Sequence, residues 1–198
     1  RAKQRGQLAV NPMKDLELPA ARKRPIRFAS HSEMKILLDA LDGDCRDVFT
    51  MAAYTGMRLG ELRALGVEDI DLKQGTIKVR FNWDPKEGRV EVKTKASRRT
   101  IPMTAQVRAL VGRRIANGRT SGLLLGRTPG LPFSASGIVC QAERRWKKAG
   151  IKRITPHGCR HSYASYLIHA GFNAKIVQTR MGHASITSTQ IYTRLDFQ

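Results

Sequence analysis

Between residues 67 and 102 the apolar pattern of this chain changes from a helical period to alternation, and on both sides of that stretch it is helical. Alternation sends successive side chains to opposite faces, as a half-buried strand requires. Residues 76–81 alternate, Asp84-Pro85-Lys86-Glu87-Gly88 supplies turn residues, and residues 90–92 and 100–102 complete two more strands. The expectation is an α+β chain, mainly α-helical, with one small three-stranded antiparallel sheet. The second turn, from Lys93 to Arg99, is polar and strongly basic. It either extends a lysine into a nucleic-acid groove or is a solvated run of charge.

The flanking helices carry their own start and stop signals. Ser30 and Glu33 have capping-box spacing, and Met34, Leu37, Leu38 and Leu41 recur as one helical face that ends near Gly43. The run from Cys45 to Tyr54 is apolar nearly all round, as a central core helix would be, and Thr55-Gly56 suits its C-terminus. A short helix follows, in which Arg58 and Glu61 lie three apart. They share a face, so the carboxylate can hold the guanidinium, whether as a surface ion pair or for function. Val107, Leu110 and Val111 pattern a helix over 104–117. Ser134 or Ser136 begins another, with Ile138, Val139, Ala142 and Trp146 inward and Arg144, Arg145, Lys147 and Lys148 outward. That basic outer face tracks a phosphate backbone or merely keeps the chain soluble.

Charge narrows the class of partner. The 198 residues include 36 Lys and Arg against 16 Asp and Glu, a formal net charge of +20. So large an excess on a foldable chain points to a polyanion, and nucleic acid is the expected one. No apolar run approaches the roughly 20 residues of a spanning helix, and the start lacks a secretory signal pattern, so no membrane partner is expected. Three cysteines, Cys45, Cys140 and Cys159, show no metal-like pairing, which fits a reduced, cytoplasmic protein. Residues 1–25 carry Arg1, Lys3, Arg5 and Arg22-Lys23-Arg24 with prolines that break helices; they read as a basic linker, the tail of another domain, or a solvated arm.

The last third gathers the chemistry. Thr155-Pro156 is a helix start, with a capping hydroxyl and proline at the first helical position, so His157 and Arg160 stack one turn apart where backbone donors favour an anion. Tyr163, Ala164, Leu167 and Ile168 form the buried stripe. Asn173 caps a short helix that stops at Gly182, with His183 just beyond, and a last turn or two present Tyr192. Singly these residues mean little; together they resemble a phosphate site with a nucleophile beside it.

The residues that carry a family resemblance are Thr55-Gly56-Met57-Arg58-Leu59-Gly60-Glu61-Leu62, Lys93-Thr94-Lys95 leading to Arg99-Thr100-Ile101-Pro102, His157-Gly158-Cys159-Arg160-His161, Met181-Gly182-His183, and Tyr192. In this order and spacing the chain resembles the helical catalytic domain of tyrosine recombinases of the phage-integrase type, over residues 26–198. Cys159 and Met181 stand where relatives often have leucine. The resemblance implies a DNA-integrating or DNA-excising recombinase of a phage or mobile element. Arg58, Lys93, His157, Arg160 and His183 would surround a scissile phosphate that Tyr192 attacks. Glu61 would support Arg58, Lys95 is the alternative general acid to Lys93, and Arg98 and Arg99 join the basic helix as candidate DNA contacts. No cofactor and no metal are implied. The implied partners are double-stranded DNA with attachment-type sites, three further copies in a tetramer on DNA, and accessory DNA-bending proteins near a bacterial nucleoid. A core-binding domain is expected before residue 26, so DNA affinity and assembly are expected to be weak in this span alone. A catalytically inactive DNA-binding module and a resolvase-like or topoisomerase-like strand transferase remain the alternatives.

The chemistry accounts for these residue types. Phenolate attack on a phosphodiester builds negative charge on the non-bridging oxygens, which two planar, permanently charged guanidiniums suit. A tyrosine phenol, with an ordinary pKa near ~10, needs a positive surrounding or a base to become a nucleophile. The resemblance gives proton handling to His157, a phosphate hydrogen bond to His183, and protonation of the leaving 5′-hydroxyl to the hairpin lysine.

Overall fold

A computed structural model describes residues 27–92 and 94–182. Ser30 caps the first helix, α1 (His31–Asp39), its hydroxyl accepting from the Glu33 N–H at 3.2 Å. The Glu33 carboxylate pairs with Arg27 instead of closing the capping box. The helix ends at Asp39, earlier than its apolar spacing suggests, because Gly43 starts the next helix. That helix, α2 (Gly43–Thr55), is the centre of the molecule: Val48, Phe49, Met51, Ala52 and Ala53 are fully buried. Burial on this scale, at about 1.5–3 kcal/mol for a large side chain, is what overrides its weak amphipathic pattern. Gly56 ends it with φ 62°, the left-handed conformation that glycine adopts without strain.

After α3 (Leu59–Ala64) and a 3-10 turn (Val67–Asp69) the alternating stretch forms five strands in two sheets, rather than three in one. Strands β1 (Ile70–Asp71), β2 (Thr76–Val79) and β5 (Arg99–Pro102) make the three-stranded antiparallel sheet, with β2 in the middle. Strands β3 (Phe81–Asp84) and β4 (Gly88–Glu91) pair only with each other, closing on the expected Asp84–Gly88 turn. The split falls at Arg80. Its Nε donates at 2.8 Å to Asp69, a carboxylate 2% exposed, and its carbonyl accepts from the Val92 N–H at 3.0 Å. The β3–β4 hairpin then lies against α3.

Helix α4 (Ala105–Ala116) is capped by Thr104 and buries Val107, Leu110 and Val111. Helix α5 (Ala135–Lys148) begins at Ser134, whose hydroxyl accepts from the Gly137 N–H at 3.1 Å. Its Trp146 is anchored twice, by Nε1 donating to the Leu37 carbonyl at 2.8 Å and by an edge-to-face contact with Phe49 at 5.0 Å. Helix α6 (Pro156–His169) packs on α2, and α7 (Ala174–Met181) closes a second small core with Tyr163, Ala164, Leu167, Val177 and Met181. Among the described residues no helix is long and apolar enough to cross a membrane.

Candidate active site

The segment at residues 57–59 and the start of α6 meet at one cleft, and the end of α7 is tied to both through Arg58 and Arg160. Arg58 is the N-cap of α3, and its own backbone N–H donates to Glu61 Oε2 at 2.8 Å. Its Nη1 reaches Glu61 Oε1 at 2.7 Å and its Nη2 the Gly182 carbonyl at 2.7 Å. The side chain nevertheless stays 40% exposed, so it is oriented without being covered. Such a guanidinium is ready for an anion.

Glu61 itself is 2% exposed and serves two arginines. Each carboxylate oxygen accepts twice, Oε1 also from Arg99 Nη1 at 3.0 Å and Oε2 also from Arg99 Nη2 at 2.7 Å. Burial pushes its carboxyl up, but the hydrogen bonds and charge of Arg99, with those of Arg58, outweigh it and hold the group below the usual carboxylate range.

On α6, the Thr155 hydroxyl accepts from the Gly158 N–H at 2.9 Å and Pro156 occupies the first turn, as the sequence predicts. Arg160 lies one turn further in and is 2% exposed. Its two terminal nitrogens donate to the Gly56 and Met181 carbonyls, which fasten α6 to the turn before Arg58 and to the end of α7. His157 packs edge-on against His161 at a centroid distance of 4.3 Å. Burial lowers its pKa, and the positive charges of Arg160 and Arg58 lower it further. Both effects disfavour the imidazolium, which suits a group that accepts a proton.

Arg58, Thr155, His157 and Arg160 line this cleft of about 310 Å³. A larger cavity of about 770 Å³ lies among α1, α2 and α4 and contains none of them. It is lined by Asp39, Asp42 and Asp47 as well as by Lys35, Arg46 and Arg113, so its formal charges balance. Among the described residues no three His, Cys, Asp or Glu side chains are placed to hold a metal ion.

Four of the expected site residues, Arg58, Glu61, His157 and Arg160, are thus brought together. Lys93, His183 and Tyr192 lie outside the described residues, as do the side chain of Lys95 and residues 1–26. Arg98 is exposed and pairs with Glu91 on β4. Arg144, Lys147 and Lys148 are exposed on α5, where Arg145 pairs with Asp42. Arg99 corrects an expectation: it is not available as a DNA contact, because its side chain is 3% exposed and locked onto Glu61. The register of β5 is the cause. Arg99 and Ile101 point inward while Thr100 and Pro102 point outward, a parity readable in the sequence. The carbonyls of Gly56, Met181 and Gly182 have no comparable signal.

Comparison with known proteins places these features in a family. The model described as "Phage integrase family" matches residues 27–198. A tyrosine recombinase XerC of Vibrio cholerae is 29% identical over 205 residues, covering 98% of this chain and 62% of that protein. XerC of Vibrio vulnificus is 32% identical over 208 residues, covering 98% of this chain and 61% of that protein. The chain thus spans about three-fifths of the length of these relatives. Among solved structures, the Tn1549 transposon integrase in complex with a circular intermediate DNA superposes with a TM-score of 0.77 at 26% identity, covering 96% of this chain and 69% of that one. The XerA recombinase gives a TM-score of 0.71 at 28% identity, covering 98% and 67%.

Proposed function

The chain belongs to the phage integrase family of tyrosine recombinases, and we propose that it carries the catalytic centre of a site-specific DNA recombinase. The observation that carries this reading is the convergence of Arg58, Arg160 and His157 on one cleft at the start of α6. Arg58 is exposed enough to take a non-bridging oxygen of one phosphate, and Arg160, which lines the same cleft with its terminal nitrogens held by backbone carbonyls, adds positive charge that stabilises the charge growing as the phosphorus is attacked. Tyr192 supplies the attacking oxygen and His157 takes its proton. The bond from phosphorus to the leaving 5′-oxygen breaks, that oxygen receives a proton from Lys93 or Lys95, and a 3′-phosphotyrosyl link remains. His183 follows Gly182, whose carbonyl Arg58 holds, and is the group proposed to hydrogen-bond the phosphate. Attack by the 5′-hydroxyl of another strand reverses the step and exchanges the strands.

The partners in this reading are duplex DNA and further copies of the chain, assembled as a tetramer with DNA-bending accessory proteins. Integration or excision of a mobile element is favoured by the likeness to the Tn1549 transposon integrase. A second reading, exchange outside any mobile element, is favoured by the XerC relatives. Plasmids carrying one or two copies of the target separate the two by whether exchange joins or resolves molecules.

A pool of linear duplexes of randomised sequence, each nicked near its centre, tests the chemistry whatever the target sequence is. Cleavage beside the nick releases a short fragment and traps the covalent complex, which survives a denaturing gel. Adduct from the wild type and none from Tyr192→Phe is the expected result, and sequencing the trapped DNA yields the target. Equal absence from both proteins refutes the proposal in favour of an inactive DNA-binding module.

A further inference from the structure

We propose that Arg99 is a positioning residue for Arg58, keeping the phosphate-binding guanidinium both aimed and electrically uncancelled. This inference rests on the recombinase reading of the cleft. Glu61 has two oxygens, and Arg58 uses both, one through Nη1 and one through its backbone N–H. Left to itself, that carboxylate would form a one-to-one buried pair with Arg58 and neutralise it. Arg99 supplies a second guanidinium to the same two oxygens, at 3.0 and 2.7 Å. Two cations now share one anion, so the group keeps a net positive charge, and only Arg58 is exposed enough to present it.

Arg99 also supports Arg58 from its other side. Gly182, whose carbonyl accepts from Arg58 Nη2, sits so close over Arg99 that a Cβ there would lie 2.9 Å from Arg99 Nη1 and 3.1 Å from the Ala96 carbonyl. Both side-chain partners of Arg58 therefore rest on Arg99. The orientation of Arg99 comes from Glu61 and from a 3.2 Å bond to the Ser97 carbonyl, since among the described residues its buried Nε has no partner. The Ser97 bond joins this cluster to the basic segment between β4 and β5, in whose sequence the candidate lysines fall. A buried arginine serving stability alone would affect every substrate alike. One that governs the charge on Arg58 should matter most when the phosphate is charged.

The test compares single-turnover adduct formation on the target recovered from the randomised pool, synthesised with either a phosphodiester or a neutral methylphosphonate at the scissile position. Temperatures are kept well below the melting point of each variant. For Arg99→Met the rate on the phosphodiester should fall about tenfold to a hundredfold, while the methylphosphonate rate falls no more than roughly threefold. Arg99→Lys keeps the buried cation but cannot span both Glu61 oxygens, so it should show a smaller loss with the same substrate dependence; it decides the matter if Arg99→Met does not fold. Equal losses on both substrates, or no loss on either, overturn the proposal and leave Arg99 a structural ion pair. A wild type that forms no adduct overturns the recombinase reading and this one with it.

Discussion

Glu61→Gln removes one acceptor atom from a side chain that uses each of its oxygens twice. In the wild type four bonds of 2.7 to 3.0 Å arrive from Arg58 and Arg99. An amide keeps the shape and one acceptor, but its NH₂ faces two donors, so two charge-assisted bonds disappear and N–H meets N–H. Charge-assisted bonds contribute about 1.5–3 kcal/mol each, and breaking a buried pair costs about 3–5 kcal/mol, so a destabilisation of about 3–5 kcal/mol is expected. For a chain of this size that corresponds to a melting temperature lower by roughly 6–20 °C in differential scanning calorimetry. The pH dependence supplies a second reading. Because the folded carboxyl lies below its ordinary value of 4.5, its stabilisation is present above that value and lost as pH falls through the folded one; Glu61→Gln should lack that acid-dependent loss. A melting point within about 2 °C of wild type would refute the claim that Glu61 holds the two arginines.

Four further outcomes follow from the structure. Gly182→Ala forces a side chain into φ 64° and against Arg99, so a loss of about 1–3 kcal/mol is expected by urea titration, and an unchanged midpoint refutes the close packing. The cleavage rate at subsaturating DNA, which reports the free protein, should fall on the acid side only below the ordinary histidine value of 6.5, because His157 is held below it there; an acid limb above 6.5 in that measurement shows that His157 is not the proton acceptor. The same shift means the unfolded chain binds a proton more readily than the folded one, so His157 costs stability as pH drops below 6.5. Replacing Arg144, Lys147 and Lys148 together with alanine should weaken binding to random duplex uniformly and reduce the salt slope by about 0.9 for each phosphate no longer neutralised, whereas an unchanged slope makes that face of α5 only a solubilising surface.

Much of the architecture is legible in the sequence because it rests on local rules. The hydroxyls of Ser30, Thr104, Ser134 and Thr155 cap their helices where the sequence places them, and Gly56 and Gly182 end theirs in the left-handed conformation. The Arg58–Glu61 and His157–Arg160 spacings are equally readable, since three residues apart on a helix is one face whatever surrounds it. The sheet is less so. Its alternation and the Asp84–Gly88 turn are visible, but the pairing of Arg80 with Asp69, a buried carboxylate eleven residues earlier, is not. Local pattern carries no information about which distant group a guanidinium will satisfy.

From the sequence alone came the helices with their caps, the excess positive charge and the residue types a phosphate site requires. Tertiary structure decided which arginines are free to act. Arg58 and Arg99 are both one carboxylate's partners, yet one is 40% exposed and the other 3%, because α3 brings Glu61 to the inner face of β5. Exposure, and the charge left over when two cations share one buried anion, are properties of the packed arrangement and of no single segment.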